Sequence, residues 1–251
     1  MTSSVLLLHG GGLGPWMWRS LESALAPDFA TAAPLLPGHS GVDGETFTFD
    51  RALAEVVEVI ERDGDPVHVV GLSLGGQLAL LLAASRPDLV DRLIVTGANT
   101  QGLPGLRFIR PTMRATLPLK NIGVIQRATI KRLAIPEQDA PDYLASAAAT
   151  TVDSVTAVFE QSGRFRLPAG LGTYDGPALV MSGEKEPKLM HRSVAEVAEA
   201  LPNATAAIVP GASHAWPLEN APLFAVTVRA WLTDAPLNLS DGAPRGLWAR
   251  N

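Results

Sequence analysis

Val67-His68-Val69-Val70-Gly71-Leu72-Ser73-Leu74-Gly75-Gly76 is the stretch on which the reading of this 251-residue chain turns. A short apolar run leads into Gly-x-Ser-x-Gly, and an alanine- and leucine-rich segment follows. That order predicts a strand, a sharp turn and a buried helix, with a serine at the apex of the turn. The glycines two positions before and two after Ser73 let strand and helix nearly touch. A Cβ at either place would clash, because the serine backbone is expected in a strained conformation. A serine raised on such a turn is a candidate nucleophile.

Outward from this turn, short apolar runs alternate with helical periods, the signature of a parallel sheet in an α/β fold. Strands are expected at Ser4–Leu8, Thr31–Leu35, Val67–Val70, Arg92–Thr96, Ala178–Ser182 and Thr205–Val209. Leu53, Val56, Val57 and Ile60 follow the i, i+3, i+4, i+7 spacing of a helix packed on one face, and Val194, Val197, Ala198 and Leu201 repeat it. Phe224, Val228, Trp231 and Leu232 mark a last helix, with Asn220 and Pro222 at its start. Leu74–Leu82 is apolar almost all round and reads as a helix buried behind the turn. The rhythm breaks between Asn99 and Pro168, where Gly102, Pro104, Gly105, Pro111, Pro118, Pro136 and Pro141 cut the chain into short helical pieces. The expected division is therefore a core of residues 1–98 and 168–235, a helical cap insertion at 99–167, and a surface tail at 236–251.

Length and a 47% hydrophobic content suit one α/β domain with an insertion. A net charge of -5 argues against a nucleic-acid partner. The absence of cysteine excludes disulfides, thiolate metal sites and cysteine nucleophiles. The five histidines are scattered without a His-x-x-x-His pair, so neither a metal nor another cofactor is expected. The first residues, Met1-Thr2-Ser3-Ser4-Val5-Leu6-Leu7-Leu8, do not read as a signal peptide, and no apolar run reaches the length of a membrane span. A cytoplasmic protein is the resulting expectation.

A serine hydroxyl needs a base within hydrogen-bond reach, and the base needs an orienting acid. His214, in Gly211-Ala212-Ser213-His214-Ala215-Trp216, lies past the sixth strand on the sheet edge that also carries Ser73. His9, His39, His68 and His191 have structural readings: a strand end, a turn, a buried strand and a helix start. Glu184 and Glu186 follow the fifth strand and compete for the role of acid, while the loop after the fourth strand offers only Asn99. Two backbone N–H groups are needed for the oxyanion. Leu74 supplies one directly after the nucleophile. Gly11, in His9-Gly10-Gly11-Gly12-Leu13-Gly14, is expected to supply the other. That loop lacks the third glycine of a dinucleotide fingerprint.

The chain resembles the α/β-hydrolase superfamily in its capped, esterase-like branch. The resemblance rests on His9-Gly10 with Trp18 downstream, Pro37-Gly38-His39-Ser40, Gly71-Leu72-Ser73-Leu74-Gly75-Gly76, Gly183-Glu184-Lys185-Glu186 and Gly211-Ala212-Ser213-His214. It implies that the Ser73 turn is a nucleophile elbow and that the triad runs in the order serine, acid, histidine. It also favours Glu186, which stands where such hydrolases usually place Asp, three residues after the glycine. Many relatives carry an antiparallel hairpin before the first strand seen here, so about six parallel strands are expected. Ser73 separates the chain from haloalkane dehalogenases and epoxide hydrolases, which use Asp at the elbow. The His9-Gly10-Gly11-Gly12 loop resembles that of carbon–carbon hydrolases of aromatic ring-cleavage products, although those place Asn where Leu72 stands.

The insertion carries an unusual charge pattern. Between Asn99 and Pro136 lie seven basic residues and no acidic one: Arg107, Arg110, Arg114, Lys120, Arg127, Lys131 and Arg132. They read either as solvated helix faces, which suits Lys131 and Arg132, or as the docking face for an anionic partner. That partner would be a substrate carboxylate, a phosphopantetheine-linked acyl carrier or an anionic membrane surface. Arg107, Arg110 and Arg114 share a face only if the segment is helical, and Pro111 argues against an unbroken helix. Trp16, Met17, Phe108, Met113, Tyr143, Phe159 and Trp216 are candidate pocket residues. The function expected is a serine hydrolase acting on an ester or lactone of a small apolar molecule. Its rivals are a carbon–carbon hydrolase or acyltransferase with the same triad, and a ligand receptor without turnover.

Overall fold

The alternation of side chains along the first strand sets up both faces of the sheet. In β1 (Ser4–Leu8), Val5 and Leu7 enter one apolar layer, and Leu6 and Leu8 enter the other. The structure, a computed structural model, describes residues 4–39, 46–103, 105–237 and 247–248. Ser40, Pro104, Pro244 and most of the expected tail lie outside the described residues.

From β1 the chain passes through α1 (Arg19–Leu25) to β2 (Ala30–Ala32), then through α2 (Phe49–Asp63) to β3 (Val67–Leu72). β2 is shorter than the Thr31–Leu35 expected from the sequence, because Pro34 brings no N–H to the ladder. α3 (Leu74–Ser85) leads to β4 (Val90–Thr96). Among the described residues four α-helices lie between β4 and β5 (Ala178–Gly183): α4 (Ile109–Thr116), α5 (Gly123–Arg132), α6 (Ala140–Ala149) and α7 (Val152–Arg164). The core resumes with α8 (Lys188–Ala200), β6 (Ala204–Val209), the short α9 (Trp216–Glu219) and α10 (Ala221–Leu232). Pro111 does not break α4. It occupies the first turn, where backbone N–H groups have no intrahelical acceptor to lose.

Six parallel strands stand in the order β2-β1-β3-β4-β5-β6, the α/β-hydrolase arrangement. A two-residue strand, β7 (Leu247–Trp248), pairs antiparallel with β6 in the stretch expected to be surface tail. One layer packs α2 and α3 against the sheet, with Val56 and Ile60 about 1% exposed as the helical spacing predicts. Burying each such side chain contributes roughly 1.5–3 kcal/mol. The other layer packs α1 and α10, with Trp18 stacked on Phe224 at 5.9 Å between ring centroids. α3 is buried along nearly its whole length. Asn220 caps α10 through its side-chain oxygen, which accepts from the Leu223 N–H.

This topology decides where a ligand can sit. The connections leaving β1 and β3, neighbours in the sheet, run to opposite faces. The crevice at their carboxyl ends is a topological switch point, the usual binding place of open α/β sheets.

Candidate active site

Ser73 joins β3 to α3 with φ 54° and ψ -112°, a conformation costing a non-glycine residue on the order of 1–3 kcal/mol. Its N–H donates to the Thr96 carbonyl at 2.9 Å, and its carbonyl accepts from Gln77 N–H at 2.9 Å. Both flanking glycines are sterically required. A Cβ on Gly71 would overlap the Gly75 carbonyl and stand 2.7 Å from Gly76 N. A Cβ on Gly75 would overlap the carbonyl of Leu8 at the end of β1. Elbow and first strand are therefore in backbone contact, and the loop after β1 is brought beside Ser73.

That loop is held by two histidines. His9 is fully buried. Its Nε2 accepts from Leu36 N–H at 3.0 Å, and its Nδ1 donates to the Gly10 carbonyl at 2.9 Å. Nε2 of His39 accepts from Gly12 N–H at 3.1 Å, while its Nδ1 donates to Pro37 O at 3.0 Å. The rings meet edge-to-face at 4.8 Å. Burial, with the neighbouring His39 adding to it, pushes the His9 pKa down to about 3, so the ring is neutral and serves as an acceptor. Gly11 sits on the loop these rings pin. A Cβ there would lie 3.8 Å from Leu74 Cβ and 2.8 Å from Val158 Cγ1. Leu74 opens α3, so its N–H belongs to the unsatisfied first turn of the helix.

The two glutamates meet different partners. The N–H of Glu186 donates to Gly183 O at 3.1 Å, closing a turn that carries its side chain inward. The carboxylate is buried. Oε1 accepts from Gly183 N–H at 2.9 Å, and Oε2 lies 2.6 Å from Nδ1 of His214. Glu184 instead accepts from Gly211 N–H at 2.7 Å and holds the loop that leads to His214. Asn99 accepts from Gln101 N–H and Ser193 Oγ. The His214 side chain is about half exposed at 47%.

Sequence reading missed Gly97, with φ 63°, just after β4. A Cβ there would stand 2.9 Å from Cε1 of His214, so this glycine makes room for the ring. Its only trace in the sequence is a glycine directly after an apolar strand. Thr96 was missed too. Its hydroxyl accepts from the Trp216 indole at 2.8 Å and fixes the segment after His214 to the sheet.

Ser73, Gly11 and His214 line one cavity of about 550 Å³ between the core and the inserted helices. Of the seven candidate pocket residues, Met113, Tyr143 and Phe159 line it. The other four do not. Trp16, Met17 and Trp216 are buried in the core layer beneath, where large apolar side chains fill space, and Phe108 is turned outward and 56% exposed. The other histidines keep structural places. His68 is buried with its Nδ1 3.2 Å from Asp91 Oδ2, burial lowering its pKa, and His191 Nε2 lies 3.0 Å from Gly183 O.

The seven cations between Asn99 and Pro136 do not act as one face. Arg110 lies near Asp153 and Glu160, at 3.7 and 3.5 Å, in a polar cleft with Arg114, and Arg107 covers the Phe108 ring at 4.7 Å. Lys120 and Arg132 line the cavity over Ser73, Lys120 partly buried and Arg132 exposed, as expected of a solvated helix face. The insertion is tied to the core through Gln77, whose amide donates to Asn99 O at 2.7 Å and Ser162 O at 3.1 Å. Arg19 pairs with Asp139 and Asp142 at 2.8 and 2.6 Å. Among the described residues no three His, Asp or Glu side chains are grouped to hold a metal ion, and no helix is long and apolar enough to cross a membrane.

The family model of the alpha/beta hydrolase family matches residues 5–227. The chain belongs to that family. It is 36% identical over 95 residues to a pimeloyl-[acyl-carrier protein] methyl ester esterase of Aromatoleum aromaticum, covering 38% of this chain and 37% of that protein. It is 29% identical over 133 residues to a 2-hydroxy-6-oxononadienedioate/2-hydroxy-6-oxononatrienedioate hydrolase of Dechloromonas aromatica, covering 49% of this chain and 43% of that one. These matches span less than half the length of each relative. Among solved structures, MenH from S. aureus superposes with a TM-score of 0.74 at 17% identity, over 93% of this chain and 94% of that one, a likeness of fold.

Proposed function

We propose that the chain is a serine hydrolase cleaving a carboxylic ester or lactone of a small, mostly apolar molecule through an acyl-enzyme on Ser73. The observation that carries this reading is the 2.6 Å contact between buried Glu186 and Nδ1 of His214, at the mouth of the cavity that also holds Ser73. With Nδ1 committed to the carboxylate, Nε2 is the nitrogen left to take the Ser73 proton. Ser73 Oγ then bonds to the carbonyl carbon, and the oxyanion is held by the N–H groups of Leu74 and Gly11. The C–O bond to the alcohol breaks as His214 returns the proton to it. Water, deprotonated by His214 in turn, releases the acid and restores Ser73. The cavity wall, with Met113, Leu117, Ile125, Leu133, Val155 and Phe159, suits an apolar acyl group.

Relatives named as an ester esterase and as a hydrolase of an oxo-dienedioate bracket the reaction. The test is turnover of aryl esters of graded chain length, lactones and vinylogous diketones, with Ser73→Ala as control. Ester or lactone hydrolysis that disappears in Ser73→Ala is expected. Preferential cleavage of the diketones would transfer the triad to carbon–carbon bonds. Binding without turnover or labelling would make the protein a receptor.

A further inference from the structure

The cavity over Ser73 is lined by charge of one sign. Lys120 and Arg132 stand in its wall and, among the described residues, no carboxylate does, although the chain as a whole carries a net charge of -5. Lys120 is half-buried beyond α4. Its ammonium donates to the Thr150 carbonyl, a partner that orients the charge without neutralising it. Burial pushes its pKa below the usual lysine value. Arg132 closes α5 on the same wall as Thr129 and Tyr143.

Four carboxylates of the neighbouring helices face other cations. Asp139 and Asp142 pair with Arg19, and Asp153 and Glu160 face Arg110. Among the described residues neither Lys120 nor Arg132 has an ion-pair partner. Lys120, partly buried in a largely apolar wall, carries a desolvation cost that a bound anion offsets, while Arg132 is exposed and free to reach the same anion; charge-assisted hydrogen bonds are the stronger kind.

We propose that Lys120 and Arg132 form an anion subsite, so that the substrate is a small ester bearing a second, carboxylate group remote from the scissile carbonyl. This rests on Ser73 being the nucleophile of an ester hydrolase. The apolar wall would hold the chain between the two ends. Lys supplies a movable point charge and Arg a planar fork that matches a carboxylate.

The test compares para-nitrophenyl hydrogen adipate with para-nitrophenyl hexanoate, which have equal chain length and differ in the terminal charge. The native protein is expected to favour the charged ester at least tenfold in kcat/KM. Lys120→Met and Arg132→Gln should each lower that ratio by about tenfold, while Lys120→Arg and Arg132→Lys keep most of it. Added salt should lower the native ratio as well. A native ratio at or below one, or a ratio unmoved by both substitutions, overturns the subsite. A separate arm titrates Ser73→Ala with monomethyl adipate by calorimetry. Binding that weakens when Lys120→Met is added supports the subsite even if neither ester is turned over, a result that would count against the hydrolase reading alone. No binding of monomethyl adipate overturns the subsite, whatever the esterase activity.

Discussion

Glu184 and Glu186 are two positions apart, yet the turn at Gly183 sends their carboxylates to different partners. Glu186 meets Nδ1 of His214 from a buried position, and Glu184 braces the Gly211 loop. On a continuing strand they would share one face. The strand ends at Gly183, and alternation ends with it. For that reason the choice between them was open in the residues themselves and was favoured only by resemblance. Glu186→Gln keeps the side-chain shape but removes the charge that supports an imidazolium. It is expected to lower kcat by about 10²–10⁴-fold with a small change in KM. Glu184→Gln should cost less than about threefold. Steady-state kinetics of the two variants check this, and the reverse ranking would assign the acid to Glu184. Gly97 shows a further limit of reading residues one by one. Its role depends on an imidazole arriving from a segment more than a hundred residues away.

At the scale of elements, the glycine loop after β1 owes its position to hydrogen bonds accepted by the His9 and His39 rings. His9 bound to Leu36 N–H is a folded-state acceptor whose pKa falls to about 3, against about 6.5 in an unfolded chain. The folded pKa is depressed. The unfolded state therefore takes up a proton first as pH falls, and the His9 contribution is full above about pH 6.5. It is lost progressively down toward pH 3, at up to about 1.4 kcal/mol per pH unit. His68, lowered by burial, adds in the same direction. Urea unfolding between pH 7 and 4 should show native stability falling more steeply than that of His9→Gln, so that the two curves converge on acidification. Parallel curves would mean that His9 is not held neutral. The sequence placed His9 and His39 at a strand end and in a turn. It did not show that the two segments join, because that contact forms only when β1 and β2 pair. The inserted helices were legible as helical pieces, but their arrangement was not. Arg132 reads as solvent-facing and is exposed, and only the folded position of α5 shows that it also lines the cavity.

At the scale of the whole molecule, the sheet was legible because each core strand is a short apolar run bounded by turn residues. The steric demands of Gly71 and Gly75 made the elbow legible too. The strand order then does the rest. With β1 beside β3, the loop carrying Gly11 and the turn carrying Ser73 open on the same crevice, and the turns after β5 and β6 bring Glu186 and His214 to that edge. What the residues could not show is which side chains line the cavity, since the insertion reaches it across long sequence separations. The central claim is that Ser73 is a reactive nucleophile. Intact-protein mass spectrometry after treatment with a fluorophosphonate tests it most directly. The account predicts a single adduct on native protein that maps to the Ser73 peptide, is absent in Ser73→Ala and forms much more slowly in Glu186→Gln. A folded native protein that stays unlabelled, or an adduct that persists in Ser73→Ala, would contradict it.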